Sequence, residues 1–291
     1  MNLIYNLFKN EKMFSVKKKK YFEIYQNLFN SYRNKDIVFL EIGLNDGGSI
    51  NFFKNFFSPN SKIIGFDCNP KSLILERENI KIFKGDQGSE KDWIKFFKIY
   101  GKLDIVLDDG GHTNKQQIVT FENVLPNLND DGLLVIEDTE CSYINNFGNP
   151  SKYSFVNYAK NCIDTLYRDG SGEREGGGEV ESKSHYLTSK HLYSIQFFDS
   201  IISFKKNSKK SITYDYIDNR GVHLEEQKKI RNELTLANNY FNFRDSLIKY
   251  FPSIVILRKF FNFKFITHLC FKIENYKLRK YFKNFKSRSG S

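Results

Sequence analysis

Cysteine is scarce in this chain: Cys68, Cys141, Cys162 and Cys270 are the four in 291 residues, widely spaced and without a CxxC pair. That excludes a zinc-ribbon spacing and the dense bridging of a small secreted domain, and predicts reduced thiols in a cytoplasm. Long apolar runs are missing too. Lys9, Glu11 and Lys12 interrupt the first twenty residues, and no apolar leader core or small-residue cleavage site follows, so secretion is not expected. The most apolar later stretch, Phe251 to Phe271, is broken by Arg258, Lys259 and Lys264, which argues against a transmembrane span. Acid falls short of base, leaving a net charge of +11 that suits nucleic acid, an anionic membrane surface or a phosphate-bearing substrate.

What is present argues for a folded protein. The chain is 40% hydrophobic, with 29 Phe and 17 Tyr, and is long enough for one large α/β domain with additions or two modest domains. Its basic excess is uneven: Lys17 to Lys20 form one run, and from Lys249 onward Lys and Arg far outnumber acid.

The organising stretch is Leu103 to Cys141. Two buried-type strands, Leu103 to Leu107 and Gly132 to Ile136, run into acid: Asp108-Asp109 after the first and Glu137-Asp138 after the second. Ligands of open α/β sheets sit beyond the carboxyl ends of strands, so these carboxylates converge on one crevice, a cradle for a hard divalent cation. His112 follows three positions after Asp109 and can take a proton from a hydroxyl held there. Taken singly, Asp109-Gly110 reads as a turn and Glu137-Asp138 as a cap; Asp104 and Asp108 read as structural acids, with Asp108 facing away from Asp109 and bordering a cofactor.

Upstream, Ile37 to Ile42 predicts a strand, Gly43-Leu44-Asn45-Asp46-Gly47-Gly48 a glycine-rich turn, and Ser49 to Phe57 a helix, the layout of a nucleotide-type cofactor loop. Lys62 to Phe66 predicts a second strand ending in Asp67, placed to accept hydrogen bonds from ribose hydroxyls. Ile80 to Lys84 predicts a third, ending in Gly85-Asp86-Gln87, polar groups suited to an adenine edge.

On LEIGLNDGG (Leu40 to Gly48), GFDCNP (Gly65 to Pro70), GDQ (Gly85 to Gln87) and LDIVLDDGGH (Leu103 to His112), the sequence resembles a class I S-adenosylmethionine-dependent methyltransferase. Glu41 lies two before Gly43, and no second glycine falls at the dehydrogenase spacing, which favours S-adenosylmethionine over NAD. Asp109, His112, Glu137 and Asp138 narrow the likeness to the metal-dependent O-methyltransferases of macrolide deoxysugars, with the related cephalosporin hydroxylase and rhamnosyl O-methyltransferase group. The likeness runs from Asp36 to Lys206, where Ser194 to Lys206 resembles a closing strand pair with an Asp-Ser turn. It implies a Rossmann-like, seven-stranded, mostly parallel sheet with one antiparallel strand. It also implies S-adenosylmethionine held by Glu41, Gly43, Asn45, Gly47, Asp67, Asp86, Gln87 and Asp108. Mg2+ or another divalent cation is implied on Asp109, Glu137 and Asp138, with His112 as base. The two histidines and one carboxylate of an iron oxygenase are not found.

Residues 1–35 predict an aromatic N-terminal helical segment, with Tyr21, Ile24, Tyr25, Leu28 and Phe29 near one face; 36–206 is the methyltransferase domain, and 207–291 a helical basic extension. Ser151 to Tyr167 predicts a helix, and the glycine-rich insert 169–184 reads equally as a gate or as a surface insertion. The basic tail fits helices packed on the domain or a second copy, or peripheral contact with the inner face of a membrane. The expected acceptor is a sugar hydroxyl of a surface glycan or its activated precursor, and nucleic acid is not expected, since no Asn-Pro-Pro-Tyr type of motif occurs in the right place. The rival readings are methylation of another small molecule, such as a phosphate-derived capsule precursor group, and a non-catalytic scaffold bound to membrane by its tail.

Overall fold

The computed structural model describes residues 2–147 other than Glu78, 153–168, 187–188 and 190–207. The expectations for the insert 169–184, the tail beyond 207 and Cys270 lie outside these residues. No helix among the described residues is long and apolar enough to cross a membrane.

Seven strands form one sheet: β1 (Val38–Ile42), β2 (Lys62–Asp67), β3 (Ile80–Lys84), β4 (Leu103–Asp108), β5 (Leu128–Ile136), β6 (Leu192–Phe197) and β7 (Ile202–Lys206), in the order β3-β2-β1-β4-β5-β7-β6. The first five are parallel, and β7 runs antiparallel to both of its neighbours. This is the expected Rossmann-like sheet. Its central strands, β1, β4 and the end of β5, are apolar nearly throughout because both of their faces are covered, as parallel sheets require.

Alternation sorts the strand residues between two cores. On one face Phe39, Ile63, Ile105, Leu107, Leu133 and Val135 join the side chains of α1 (Leu3–Asn10), α2 (Tyr21–Phe29) and α3 (Gly48–Phe56). On the other, Leu40, Ile64, Phe66, Val106, Leu134 and Ile136 meet α4 (Glu90–Tyr100), α5 (Asn114–Asn127) and α6 (Phe155–Arg168).

Two expectations need adjusting. The N-terminal 1–35 segment is two helices joined by residues 11–20, which adopt neither helix nor strand. In addition, β5 begins at Leu128 rather than Gly132, because Leu103 pairs with Leu128 and Ile105 with Leu133, so a bulge with Asp131 at φ +67° interrupts the ladder. The regular part of the strand, after the bulge, is where the apolar run is unbroken.

Candidate metal and cofactor site

The strand order reverses between β1 and β4, so a crevice opens at their carboxyl ends. Here lies a cavity of about 320 Å³, lined by the β1 turn (Gly43, Leu44, Asn45), by Asp67 and Asp86, and by Asp109 and Gly110 after β4. The turn is tight for a reason: Gly43 has φ +81°, and a Cβ there would fall 2.1 Å from the Asp109 carbonyl oxygen. Asp67 is aimed by backbone donors, with Leu44 N–H on Oδ2 at 2.8 Å and Asn69 N–H on Oδ1 at 2.7 Å.

The other expected cofactor residues divide. Gln87 lines the cavity, but its amide donates to Asp108 at 3.0 and 3.1 Å, its Oε1 accepts from Gly111 N–H at 2.8 Å, and its carbonyl accepts from Trp93 Nε1 at 2.9 Å. Its side chain therefore props the wall. Asp108 is buried behind that wall, turned away from Asp109 as alternation requires; burial pushes its carboxyl up against the pull of Gln87. Gly47, at φ +83°, starts α3 against Leu75 outside the cavity lining. Glu41 is fully buried in β1, with Lys17 and the cavity-lining Ser49 opposing the rise that burial imposes on its carboxyl. Burial raises the Glu41 carboxyl from 4.5 to about 7.

The acidic cradle shares Asp109 with that cavity. Asp109 Oδ1 lies 3.7 Å and Asp138 Oδ2 3.6 Å from His112 Nε2, and one donor atom from each residue falls within 4.8 Å of the others. His112 and Asp138 both hold left-handed backbone, φ 57° and 52°, a costly conformation for residues with a side chain and one that gathers at functional sites. Glu137 sits at the same strand end but inward, buried, with Gln117 Nε2 donating to its carbonyl at 3.1 Å.

Sequence reasoning missed the residues that complete the cradle. Lys17 Nζ donates to Asp109 Oδ2 at 2.5 Å and to both Glu137 oxygens at 3.1 Å, while the Tyr25 hydroxyl donates to Glu137. Lys18 Nζ donates to Asp138 Oδ1 at 2.7 Å and to Glu140, and Tyr21 OH donates to the same Asp138 oxygen at 2.5 Å. A signal was available: Tyr21 and Tyr25 fall on the apolar face of α2, and buried tyrosine hydroxyls need acceptors. Burial would lower the Lys17 ammonium, but Asp109 and Glu137 carry it above its usual range. Burial and the nearby Asp109 push Glu137 up, opposed by Lys17 and Tyr25. For Asp138 burial is outweighed by the donors Lys18 and Tyr21, so its carboxyl is held low.

The carboxylate oxygens of Asp109 and Asp138 suit a divalent cation, with the His112 imidazole beside them and the Lys17 ammonium offsetting the charge of Asp109 and Glu137. The cavity suits a cofactor that carries both a ribose and a cationic group, since Asp67 and Ser49 line it, Ser49 next to the buried Glu41 carboxyl.

Residues 40–139 match a family described as a methyltransferase domain. The mycinamicin VI 2''-O-methyltransferase of Micromonospora griseorubida is 36% identical over 131 residues, 43% of this chain and 32% of its own. The demethylmacrocin O-methyltransferase of Streptomyces fradiae is 31% identical over 181 residues, 58% of this chain and 45% of its own. The chain thus spans less than half the length of these curated relatives. In fold it is similar to the MycE methyltransferase of mycinamycin biosynthesis, solved with Mg and SAH, at a TM-score of 0.64 and 22% identity over 81% of this chain and 60% of the other.

Proposed function

This chain carries a class I S-adenosylmethionine-dependent methyltransferase domain, close to those of the metal-dependent macrolide-sugar and rhamnosyl O-methyltransferases, and on that premise we propose that it methylates a sugar hydroxyl with the help of a divalent cation. The observation that carries the reading is the sharing of Asp109 between the cofactor-type cavity and the acidic cradle, which sets a base beside the place where a methyl donor would sit.

S-adenosylmethionine would supply an electrophilic methyl on a sulfonium, and Mg2+ or a similar ion would lower the pKa of a coordinated hydroxyl. The chain's own residues do the rest. Asp67 would accept from the ribose hydroxyls, Asp86 from the adenine edge, and Glu41 with Ser49 from the ammonium of the amino acid end. Gly43, Asn45 and Gly47 shape the loop that lets the backbone come close, and Gln87 with Asp108 fixes the wall. Asp109, Glu137 and Asp138 would hold the ion. His112 Nε2, between Asp109 and Asp138, would take the acceptor's proton, and the Asp138 carboxylate held low by Lys18 and Tyr21 would stabilise the imidazolium. Positioning supplies most of the acceleration, because the methyl is already activated.

The acceptor we favour is a hydroxyl of a surface glycan or of its nucleotide-linked or lipid-linked precursor; the net charge of +11 supports a phosphorylated substrate. The test is transfer of labelled methyl from S-adenosylmethionine into sugar-nucleotide, lipid-linked sugar and glycosylated small-molecule pools, with and without chelator. Chelator-sensitive label in a sugar fraction is expected. Label only in RNA or in a non-sugar phosphate would overturn the reading.

A further inference from the structure

Residues 11–20 are held at both ends. Gly48 N–H donates to the Phe14 carbonyl at 3.2 Å, and Asn51 Nδ2 approaches Met13 Sδ at 2.7 Å. Downstream, Lys20 pairs with Asp199 at 2.5 Å and Tyr21 enters the core. Between these anchors Phe14, Ser15 and Val16 line the cofactor-type cavity, with Phe14 and Val16 62% and 71% exposed at its mouth. The next residue, Lys17, turns into the cradle with its side chain only 2% exposed.

Lys17 takes Asp109 Oδ2 and both oxygens of Glu137, acceptors that the proposed ion would need. A magnesium ion demands oxygen at about 2.0–2.1 Å, which leaves no place for an ammonium donating to the same atoms. With the strap in place, the negative charge of Asp109, Glu137 and Asp138 is offset by Lys17 and Lys18. With it withdrawn the charge stands open, so a divalent cation binds the open state far better than the closed one, as any population shift requires.

Resting on the cation-assisted reading above, the geometry points to a built-in exchange: Lys17 occupies the cradle as a tethered cation while the divalent ion is absent, and leaves it when the ion binds. Ser15, Val16 and Lys17 then move off the cavity mouth, so ion loading and access for the acceptor are one event. The anchors at Phe14 and α2 keep the strap attached throughout.

The test is amine acetylation of the full chain with N-hydroxysuccinimide acetate, read by peptide mass spectrometry with and without Mg2+, using the exposed Lys19 as internal reference. Calorimetric titration of Mg2+ into wild type and Lys17→Met runs beside it. Lys17 is expected to be protected without the ion and to label at least about tenfold faster with it, with Mg2+ binding Lys17→Met about tenfold or more tighter than wild type. Binding detectable only in Lys17→Met would overturn the exchange, since the lysine then never yields its place to the ion. If Mg2+ binds wild type while Lys17 stays protected, the exchange is wrong and the cation reading stands, with the ion on the outer atoms of Asp109, His112 and Asp138. If neither protein binds any divalent ion, the cation reading falls and takes the exchange with it. Should Lys17→Met fail to fold, labelling of wild type decides alone.

Discussion

At the scale of single residues, His112 and Glu137 show how one cradle separates two jobs. His112 Nε2 is 3.7 and 3.6 Å from its carboxylate neighbours, beyond hydrogen-bond range and open to a third atom between them. As a base and not a ligand, it has a separable signature: His112→Ala should cut kcat by about 10²–10⁴ while Mg2+ affinity by calorimetry stays at the wild-type value. A parallel loss of ion affinity would make it a ligand. Tyr25 serves Glu137 from within the core, and Tyr25→Phe would leave a buried carboxylate short of a donor, costing about 1–3 kcal/mol in denaturant melts. Glu41 adds a pH dependence. Its carboxyl is raised from 4.5 to about 7 by burial, so the folded protein keeps a proton there that the unfolded chain releases. The associated stability is complete below about pH 4.5 and is lost as pH rises through 7, by at most about 3 kcal/mol. Glu41→Gln should therefore gain in Tm over wild type between pH 5 and pH 8, and bind S-adenosylhomocysteine more weakly; a Tm difference that is the same at both pH values would contradict the raised, buried carboxyl.

At the scale of elements, what the sequence disclosed depended on whether a signal was local. Apolar runs ending in acid are local, so each of β1 to β5 was legible from its own stretch, and the convergence of Asp109, His112 and Asp138 from Leu103 to Cys141 alone. The Lys17 contacts were not, because that side chain meets Asp109 and Glu137 across 92 and 120 positions of chain, and a run of four lysines reads as a solvated surface. The commitments of Gln87 to Asp108, Thr120, Gly111 and Trp93 are equally non-local. The turn at Gly43 is both legible and restrictive: with φ +81° and the Asp109 carbonyl against it, Gly43→Ala should push the β4 turn away and weaken S-adenosylhomocysteine binding by an order of magnitude or more while the far-ultraviolet spectrum keeps its shape. Wild-type affinity in that variant would mean the loop yields without moving Asp109. Thr113 works at the neighbouring element. It closes a capping box with Gln116 at the start of α5, the helix whose Gln117 holds the Glu137 carbonyl, so Thr113→Ala should cost about 1 kcal/mol in denaturant melts.

Across the whole molecule, the N-terminal helices are structural before they are regulatory. The sheet face made by Phe39, Ile105, Leu107, Leu133 and Val135 shares its core with Phe22, Tyr25, Phe29 and Phe53, among which Tyr25 and Phe29 stack with centroids 5.8 Å apart and Phe39 meets Phe53 at 5.3 Å. Rings packed in this way bury the surface that a bare β1-β4-β5 face would show to water, and losing one to alanine costs about 3–5 kcal/mol. That is a large part of the total for a folded domain, so Phe29→Ala alone should bring the chain near its unfolding threshold. Removal of residues 1–35 is harsher, because it strips α1 and α2 from one side of the sheet, leaving α3 alone there, and takes Lys17, Lys18, Tyr21 and Tyr25 from the carboxylates of Asp109, Glu137 and Asp138. The truncated chain should lose its near-ultraviolet signal and cooperative melt and bind a hydrophobic dye. High Mg2+ should restore little of this, since an ion neutralises the cradle but cannot cover Phe39 or Leu107. A truncated chain that melts cooperatively near the full-length temperature would show the opposite: that α1 and α2 are appended to a sheet already complete without them, with the strap free to leave at no cost to the fold.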